Sequence, residues 1–206
     1  DRSPSRGLGD VYKRQGLLKM EAMVLLVGSG AMAVEYAKVL DAQNKKYIVV
    51  GRGKDSASEY ETKTGQSVIT GGIDLAIENG HIEKISTAIV CVGVEALQKV
   101  TIKLIQYGVK KILVEKPGVL NLEQIKPLME IASKNTSEVF IAYNRRFLSS
   151  VRKAKTIITE DGGIRSFTFD FTEWAHEIEN LKKPPEVKKN WVLANSSHVL
   201  DLAFYM

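Results

Sequence analysis

Short apolar runs alternate with longer segments along most of the chain, and this alternation restricts the possible folds more than any other feature. The runs are rich in β-branched residues, which is typical of buried strands, and they lie at 22–27, 47–50, 68–69, 87–92, 111–114 and 139–142. Strands separated by helices are joined by right-handed crossovers into a parallel sheet that is covered on both faces. We therefore predict an α/β fold with a doubly wound parallel sheet.

Helical periodicity explains most of the segments between these runs. It predicts helices over 31–40, 73–78, 94–107 and 121–133. Residues 54–65 are interpreted only as a polar segment. Pro127 should kink the last helix or delay its start, because proline removes a backbone donor.

The pattern changes after Gly163. Phe167, Phe169 and Phe171 alternate with polar residues, which predicts a strand over 164–174 with one buried face, as in an antiparallel sheet. The next strong helical pattern predicts a helix over 191–205.

This change defines the expected domains. Residues 20–146 would form the parallel-sheet domain, and residues 147–206 the start of a truncated α/β domain with an open, mainly antiparallel sheet. Residues 1–15 lack apolar periodicity and resemble a translated sequencing adapter, with a genuine disordered extension as the alternative.

The strongest local motif directly follows the first predicted strand. Gly28-Ser29-Gly30-Ala31-Met32-Ala33 fits the pattern G-x-G-x-x-A at the opening of a helix. The first glycine permits a tight turn, the second lets the backbone approach a pyrophosphate, and the alanine allows close helix packing. The motif predicts a Rossmann-type dinucleotide site on a helix N-terminus, with a phosphate-free structural turn as the alternative.

The end of the second predicted strand bears on the choice of cofactor. NAD sites usually carry an acidic residue there, but this chain has Gly51-Arg52-Gly53 and no acid before Asp55. The guanidinium of Arg52 could pair with a 2′-phosphate, which favours NADP over NAD. An exposed loop arginine is the alternative.

Glu115-Lys116-Pro117 follows the predicted strand at 111–114. Ligands of open α/β sheets bind beyond the carboxyl ends of the strands. A lysine there can hydrogen-bond a substrate hydroxyl. The proline would fix the turn, and a cis peptide bond is one way in which it could do so.

Three motifs in this order and spacing resemble the Gfo/Idh/MocA family of oxidoreductases: 28–33, Glu-Lys-Pro at 115–117 and Tyr-Asn-Arg-Arg-Phe at 143–147. The resemblance implies a Rossmann domain followed by an α/β domain whose open sheet often forms a subunit interface. It also implies hydride transfer between a nicotinamide cofactor and sugars, cyclitols or related carbonyl compounds.

The resemblance places the family's lysine at Lys116 and its catalytic histidine at His198. Many members carry an aspartate four residues before this histidine, where this chain has Ala194, followed by Asn195. Asn195 and Asp201 are each three residues from His198, so we expect both on its helical face.

The predicted contacts fall into two sets. Cofactor contacts are predicted at Gly28, Ser29, Gly30, Ala31, Met32, Gly51, Arg52, Val92, Glu115, Lys116 and Tyr143. Substrate contacts are predicted at Lys116, Arg145, Asn195 and His198, and catalysis at Lys116 and His198. Arg145 or Arg146 would contact a substrate acid, or alternatively form an interdomain salt bridge.

Composition argues against several other classes of protein. The net charge is +5, but basic residues are interleaved with acids, and pairs such as Lys182-Lys183 are interpreted as solvated edges, so no nucleic-acid partner is expected. The single cysteine is interpreted as a core thiol in a cytoplasmic protein. We expect no metal and no membrane partner.

The function predicted from the sequence is an NAD(P)-dependent dehydrogenase or reductase acting on a sugar-like alcohol or ketone. The full-length protein is expected to form a homo-oligomer through its C-terminal sheet. A non-catalytic dinucleotide- or sugar-sensing regulator of the same fold is the alternative. Because the second domain is expected to be truncated, we expect this chain to bind cofactor poorly or to aggregate, and to turn over no substrate.

Overall fold

The computed structural model describes residues 23–206, so the proposed extension at 1–15 lies outside the described residues. The strands are β1 (Val24–Val27), β2 (Tyr47–Val50), β3 (Val68–Ile69), β4 (Thr87–Val90), β5 (Lys111–Val114) and β6 (Glu138–Ile141). The α-helices are α1 (Ala31–Ala42), α2 (Lys54–Thr64), α3 (Gly72–Glu78), α4 (Leu97–Tyr107), α5 (Ile125–Lys134), α6 (Ser149–Glu160), α7 (Ala175–Asn180), α8 (Pro185–Lys189) and α9 (Ser197–Tyr205).

The six strands form one parallel sheet in the order β3-β2-β1-β4-β5-β6. β1 pairs over its full length with β2 on one side and β4 on the other. The strand order therefore runs outward from β1 to β3 on one side and from β4 to β6 on the other, and the switch point lies between β1 and β4. This arrangement confirms the predicted doubly wound sheet. It also brings the carboxyl ends of β1, β2, β4 and β5 to one edge, where ligands of such sheets bind.

Both faces of the sheet are covered by helices. Leu25 packs with the cluster beneath α3, α4 and α5, whereas Leu26 packs with the cluster beneath α1 and α2, and both side chains are fully buried. A strand that is buried on both faces needs a continuous apolar run, which is the pattern seen in the sequence.

Residues 54–65, interpreted from the sequence only as a polar segment, contain the helix α2. Its buried residues are Ala57 and Tyr60, and the helix ends at Gly65 with a positive φ of 72°. Most of its other residues face solvent. The apolar stripe is too narrow to stand out as a helical pattern in the sequence.

Pro127 delays the start of its helix, as predicted. A short 3₁₀ turn (Leu122–Gln124) precedes α5, so the proline lies in the first turn of the α-helix. Amides in the first turn have no acceptor within the helix, so the missing N–H costs little there.

The strand predicted over 164–174 is not formed. This segment has no ladder partner among residues 23–206, and a strand needs a neighbour for its backbone hydrogen bonds. Phe167 and Phe169 stack on each other with ring centroids 6.2 Å apart and pack edge-on against Phe204 of α9. The predicted antiparallel sheet of a second domain is therefore not confirmed.

The helix predicted over 191–205 is present with one irregularity. A π-helical turn (Val192–Ser196) leads directly into α9. In the described part of the chain, no helix is both long and apolar enough to cross a membrane.

Candidate active site

The turn between β1 and α1 requires glycine at its first position. Gly28 has a φ of 128°, and a Cβ atom there would lie 2.6 Å from the carbonyl oxygen of Cys91. Burial raises the pKa of the Cys91 thiol to about 12, and its Sγ donates to the carbonyl oxygen of Val27 at 3.4 Å. The prediction of a buried core thiol is thus confirmed. This thiol packs against Gly28, beneath the turn.

The fold itself does not require glycine at position 30. Its φ of −87° suits any residue, and a Cβ atom there would meet no protein atom within 4 Å. The space beside it adjoins the N-terminus of α1, whose first amides have no acceptor within the helix. Open space, free amides and the helix dipole together suit the close approach of a phosphate.

A cleft of about 540 Å³ lies along the carboxyl ends of β1, β2 and β4. Six of the predicted cofactor contacts line it: Gly28, Ser29, Gly30, Gly51, Arg52 and Val92. The other predicted contacts, Ala31, Met32, Glu115, Lys116 and Tyr143, lie outside its lining. Met32 instead borders a separate groove beside β6.

The part of the cleft beyond β2 is polar. The hydroxyl oxygens of Ser29 and Ser56 are 3.0 Å apart, and Arg52 is exposed beside them. Asp74 also lines the cleft, but Lys103 forms a salt bridge with its carboxylate. Asp55 is not part of the lining.

Lys116 follows β5 and is joined to Pro117 by a cis peptide bond, as the sequence allowed. Its Nζ donates hydrogen bonds to the carbonyl oxygens of Ala194 at 2.9 Å and Asn195 at 3.1 Å. Both carbonyls belong to the π-helical turn, a feature that often marks functional sites. Partial burial lowers the pKa of Lys116, and the charge of Glu115 opposes this effect.

Ala194 itself points into an apolar cluster. Its side chain is buried with Leu120 and Val187. Position 194 therefore contributes its backbone carbonyl to Lys116 and its methyl group to packing. The ammonium of Lys116 is thus held by backbone oxygens rather than by a carboxylate at position 194.

His198 is half-buried on α9, next to Tyr143. The two ring centroids are 5.8 Å apart in an edge-to-face arrangement. Burial lowers the pKa of His198, as do the positive charges of Lys116 and Arg145. The imidazole is therefore mainly neutral at pH 7. Its Nδ1 is buried and has no hydrogen-bond partner among the described residues, which leaves Nε2 to meet a ligand.

Arg146 and Asp201 join the segment after β6 to α9. The Nε of Arg146 donates to Oδ2 of Asp201 at 2.8 Å, and a second bond joins Nη2 to Oδ1. The guanidinium also lies 4.8 Å from the ring centroid of Tyr205. For Arg146 the structure thus shows a salt bridge, the alternative that the sequence left open.

The side chains of Asn195 and Asp201 are held by other residues rather than by His198. The side-chain amide of Asn195 donates to Glu173 at 3.3 Å, and Asp201 is held by Arg146. The expectation of a shared helical face assumed α-helical spacing, which the π-helical turn interrupts at Asn195. Asp201 acts on His198 only through its charge, which favours the protonated imidazole.

A second cavity, of about 500 Å³, adjoins the cleft through Val92, Gly93 and Glu95, which line both. Lys116 and Asn195 line this cavity as well, so it reaches the lysine from the side of the π-helical turn. We call it the lysine cavity.

A family model described as an oxidoreductase family with an NAD-binding Rossmann fold matches residues 22–143, more than half of the chain. The chain belongs to the Gfo/Idh/MocA family of oxidoreductases. No curated protein sequence matches it significantly.

Solved structures share the fold at low sequence identity. An NAD-binding protein from Listeria innocua is 17% identical with a TM-score of 0.67, over 90% of this chain and 54% of that one. The WlbA dehydrogenase from Bordetella pertussis, solved with NADH and UDP-GlcNAcA, is 14% identical with a TM-score of 0.60, over 68% of this chain and 43% of that one.

KijD10, a 3-ketoreductase from Actinomadura kijaniata solved with NADP and TDP-benzene, is 15% identical with a TM-score of 0.56, over 69% of this chain and 43% of that one. The chain thus spans about half or less of the length of these structures. At such identities the likeness shows the fold alone.

The structure of this Gfo/Idh/MocA chain also contains site features that the sequence did not reveal. Tyr36 donates to a carboxylate oxygen of Glu115 at 2.6 Å, and Ser56 reaches Ser29 from α2. Glu95 and the pair Lys182-Lys183 line the lysine cavity. Tyr36, Ser56, Glu95, Lys182 and Lys183 belong to none of the motifs found in the sequence, and they reach the site through tertiary packing.

Proposed function

We propose that this chain carries the machinery for hydride transfer between NADP and a sugar-like alcohol or ketone. The observation behind this proposal is that Lys116 donates hydrogen bonds to the carbonyl oxygens of Ala194 and Asn195, which lie four and three residues before His198. Besides burial, the charge of Lys116 lowers the pKa of His198. Lys116 lies just after β5 and lines a cavity that adjoins the cleft with the glycine turn.

The described residues fit a dinucleotide. Gly28 closes the turn, Gly30 leaves open space beside the first turn of α1, and the cleft runs past Arg52 on one side and Val92 on the other. When bound, a nicotinamide dinucleotide would supply the two-electron carrier. The absence of a free acid at the end of β2, with Arg52 in its place, supports NADP rather than NAD.

Lys116 and His198 take different roles in this proposal. Lys116 would donate a hydrogen bond to the reacting oxygen and stabilise negative charge that develops on it. His198, neutral at pH 7, would accept the hydroxyl proton at Nε2, because Nδ1 is buried. Arg145 would contribute positive charge near both groups.

A sugar or cyclitol derivative is proposed as the substrate. The support comes from solved structures of the same fold, one with UDP-GlcNAcA and one described as a 3-ketoreductase. Assembly into a homo-oligomer and a cytoplasmic location are proposed as part of the same function.

The test is to titrate the chain with NADPH and NADH and then to screen sugar alcohols and ketones for NADPH-linked turnover. Lys116→Gln and His198→Gln should each lower kcat by about a hundredfold or more while NADPH affinity stays within about twofold. Lys126→Gln, an exposed change on α5, is the matched control. Turnover near the wild-type level in both site variants would refute the proton-transfer roles.

A sensor of dinucleotide or sugar is the second candidate. Two observations favour it. Two backbone carbonyl oxygens already accept hydrogen bonds from the Lys116 ammonium, and position 194 carries no carboxylate. Tight NADPH binding together with no turnover across the screen would support the sensor.

A further inference from the structure

Lys182 and Lys183 stand at the mouth of the lysine cavity, although the sequence suggested a solvated edge. Both are exposed, and both line the same cavity as Lys116. In the described part of the chain, neither ammonium forms a salt bridge or donates a side-chain hydrogen bond. Their charge is therefore available to a ligand.

The charge balance of the cavity is positive. Three lysines line it, against one carboxylate, that of Glu95. At Lys116 itself the charge of Glu115 has a larger effect than that of Arg145, so the positive balance comes from the lysines in the lining. Charges of one sign in a concave surface attract an oppositely charged ligand more strongly than the same charges on an open surface.

The cavity also has the size and the mixed lining of a small-molecule site. It measures about 500 Å³, and its wall includes the half-buried Trp191 together with Val187 and the amide-bearing Asn195. Ligand pockets typically combine apolar and aromatic walls with a few polar groups that fix orientation. Because the cavity shares Val92, Gly93 and Glu95 with the cleft, a ligand here would lie next to a bound dinucleotide.

We propose that the lysine cavity selects a sugar derivative that carries a phosphate or carboxylate group, with Lys182 and Lys183 as the recognition residues. The proposal rests on the proposed function, because it takes the ligand of this cavity to be the substrate. Lys116 would remain with the reacting oxygen, while the two exposed lysines hold the anionic group at the mouth.

The test uses the fluorescence of Trp191, which lines the cavity. The chain has two tryptophans, so Trp174→Phe leaves Trp191 as the reporter. Glucose 1-phosphate, glucuronate and neutral methyl glucoside are titrated in low salt, with and without saturating NADP⁺. We expect at least one anionic probe to bind about tenfold or more tightly than methyl glucoside. The two anionic probes distinguish a phosphate from a carboxylate ligand.

The double variant Lys182→Gln/Lys183→Gln should lose about tenfold in affinity for the favoured anionic probe and little for methyl glucoside. Lys126→Gln/Lys134→Gln removes the same charge from exposed positions on α5 and should leave every affinity unchanged. Three results would each overturn the proposal. They are equal binding of charged and neutral probes, no binding of either anionic probe, and an unchanged preference of the double variant for the anionic probe. NADPH titration is scored separately, so failure of dinucleotide binding would count against the proposed function alone.

Discussion

At the scale of single residues, the two glycines of the first turn serve different purposes. Gly28 lies in a backbone region that favours glycine and faces the carbonyl of Cys91, so its role is in the fold. Gly30 has an ordinary φ and open space beside it, so a side chain there would obstruct a ligand rather than the protein. The sequence motif alone does not separate these roles.

This difference gives a matched pair of variants. Gly28→Ala should lower the free energy of unfolding by roughly 2 kcal/mol or more, because of the positive φ and the contact with Cys91. Gly30→Ala should unfold like the wild type but bind NADPH about tenfold or more weakly. Chemical denaturation and fluorescence titration measure the two effects. Wild-type NADPH affinity in Gly30→Ala would argue against phosphate binding at this turn.

The pKa of His198 gives a second prediction at this scale. Burial and the charges of Lys116 and Arg145 lower it below its usual value near 6.5, so protonation should occur only at lower pH. Arg145→Gln removes one repelling charge and should raise the pKa towards 6.5. NMR titration can follow this, because the chain has three histidines, His81, His176 and His198.

Arg152→Gln, a matched change at an exposed position on α6, should leave the His198 pKa where it is. A wild-type His198 that titrates at or above 6.5 would contradict the neutral base in the proposed function.

At the scale of elements, the helix that carries His198 is fixed to the segment after β6. The Arg146–Asp201 bridge is one contact, with the Asp201 side chain 9% exposed. Lys155 of α6 adds a second, because its Nζ lies 3.6 Å from the ring centroid of Tyr205 and donates to the carbonyl of that residue. The position of His198 therefore depends on residues that never touch a ligand in the proposed reaction.

A double-mutant cycle measures this coupling. Arg146→Ala and Asp201→Ala should show an interaction free energy of about 1–2 kcal/mol, reduced from that of a fully buried charged pair because Arg146 is partly exposed. Glu59→Ala and Lys63→Ala, an exposed pair on α2, serve as the control and should show a clearly smaller coupling, because solvent screens the pair. Additive effects at Arg146 and Asp201 would mean that the bridge does not fix α9.

At the scale of the whole molecule, the covering of the sheet is uneven. Beside β6, on the side of α1, a groove of about 900 Å³ is lined in part by Met32, Phe140 and Phe147, all of which are exposed. The C-terminal sheet and the homo-oligomer predicted from the sequence stay predictions. The cleft at the carboxyl edge, in contrast, is enclosed by elements from both halves of the sheet.

Because the cleft is formed only in the folded chain, a bound dinucleotide should stabilise the whole molecule. At a free concentration about one hundred times its Kd, NADPH should add about 2.7 kcal/mol to the free energy of unfolding, seen as a higher Tm. Arg52→Gln should lower the stabilisation by NADPH and leave that by NADH unchanged. A tenfold preference of the wild type for NADH, about 1.4 kcal/mol, would overturn the role of Arg52.

The sequence by itself determined the parallel sheet and the glycine turn, and it limited the effect of Pro127 to a kink or a delayed start. These features depend on local chemistry, that is, on apolar runs buried on both faces, on backbone freedom at Gly28, and on a missing donor. The resemblance of the motifs added Lys116 and His198 as a pair, with no information on their partners.

Only the tertiary structure decided what these residues contact. The carbonyls that hold Lys116, the bridge from Arg146 to Asp201 and the place of Lys182 all join positions distant in the sequence. The strand expected over 164–174 failed for the same reason, because a strand exists only where another strand accepts and donates its hydrogen bonds. Periodicity records which face of a segment is apolar, but its partner is chosen by the packing of the whole chain.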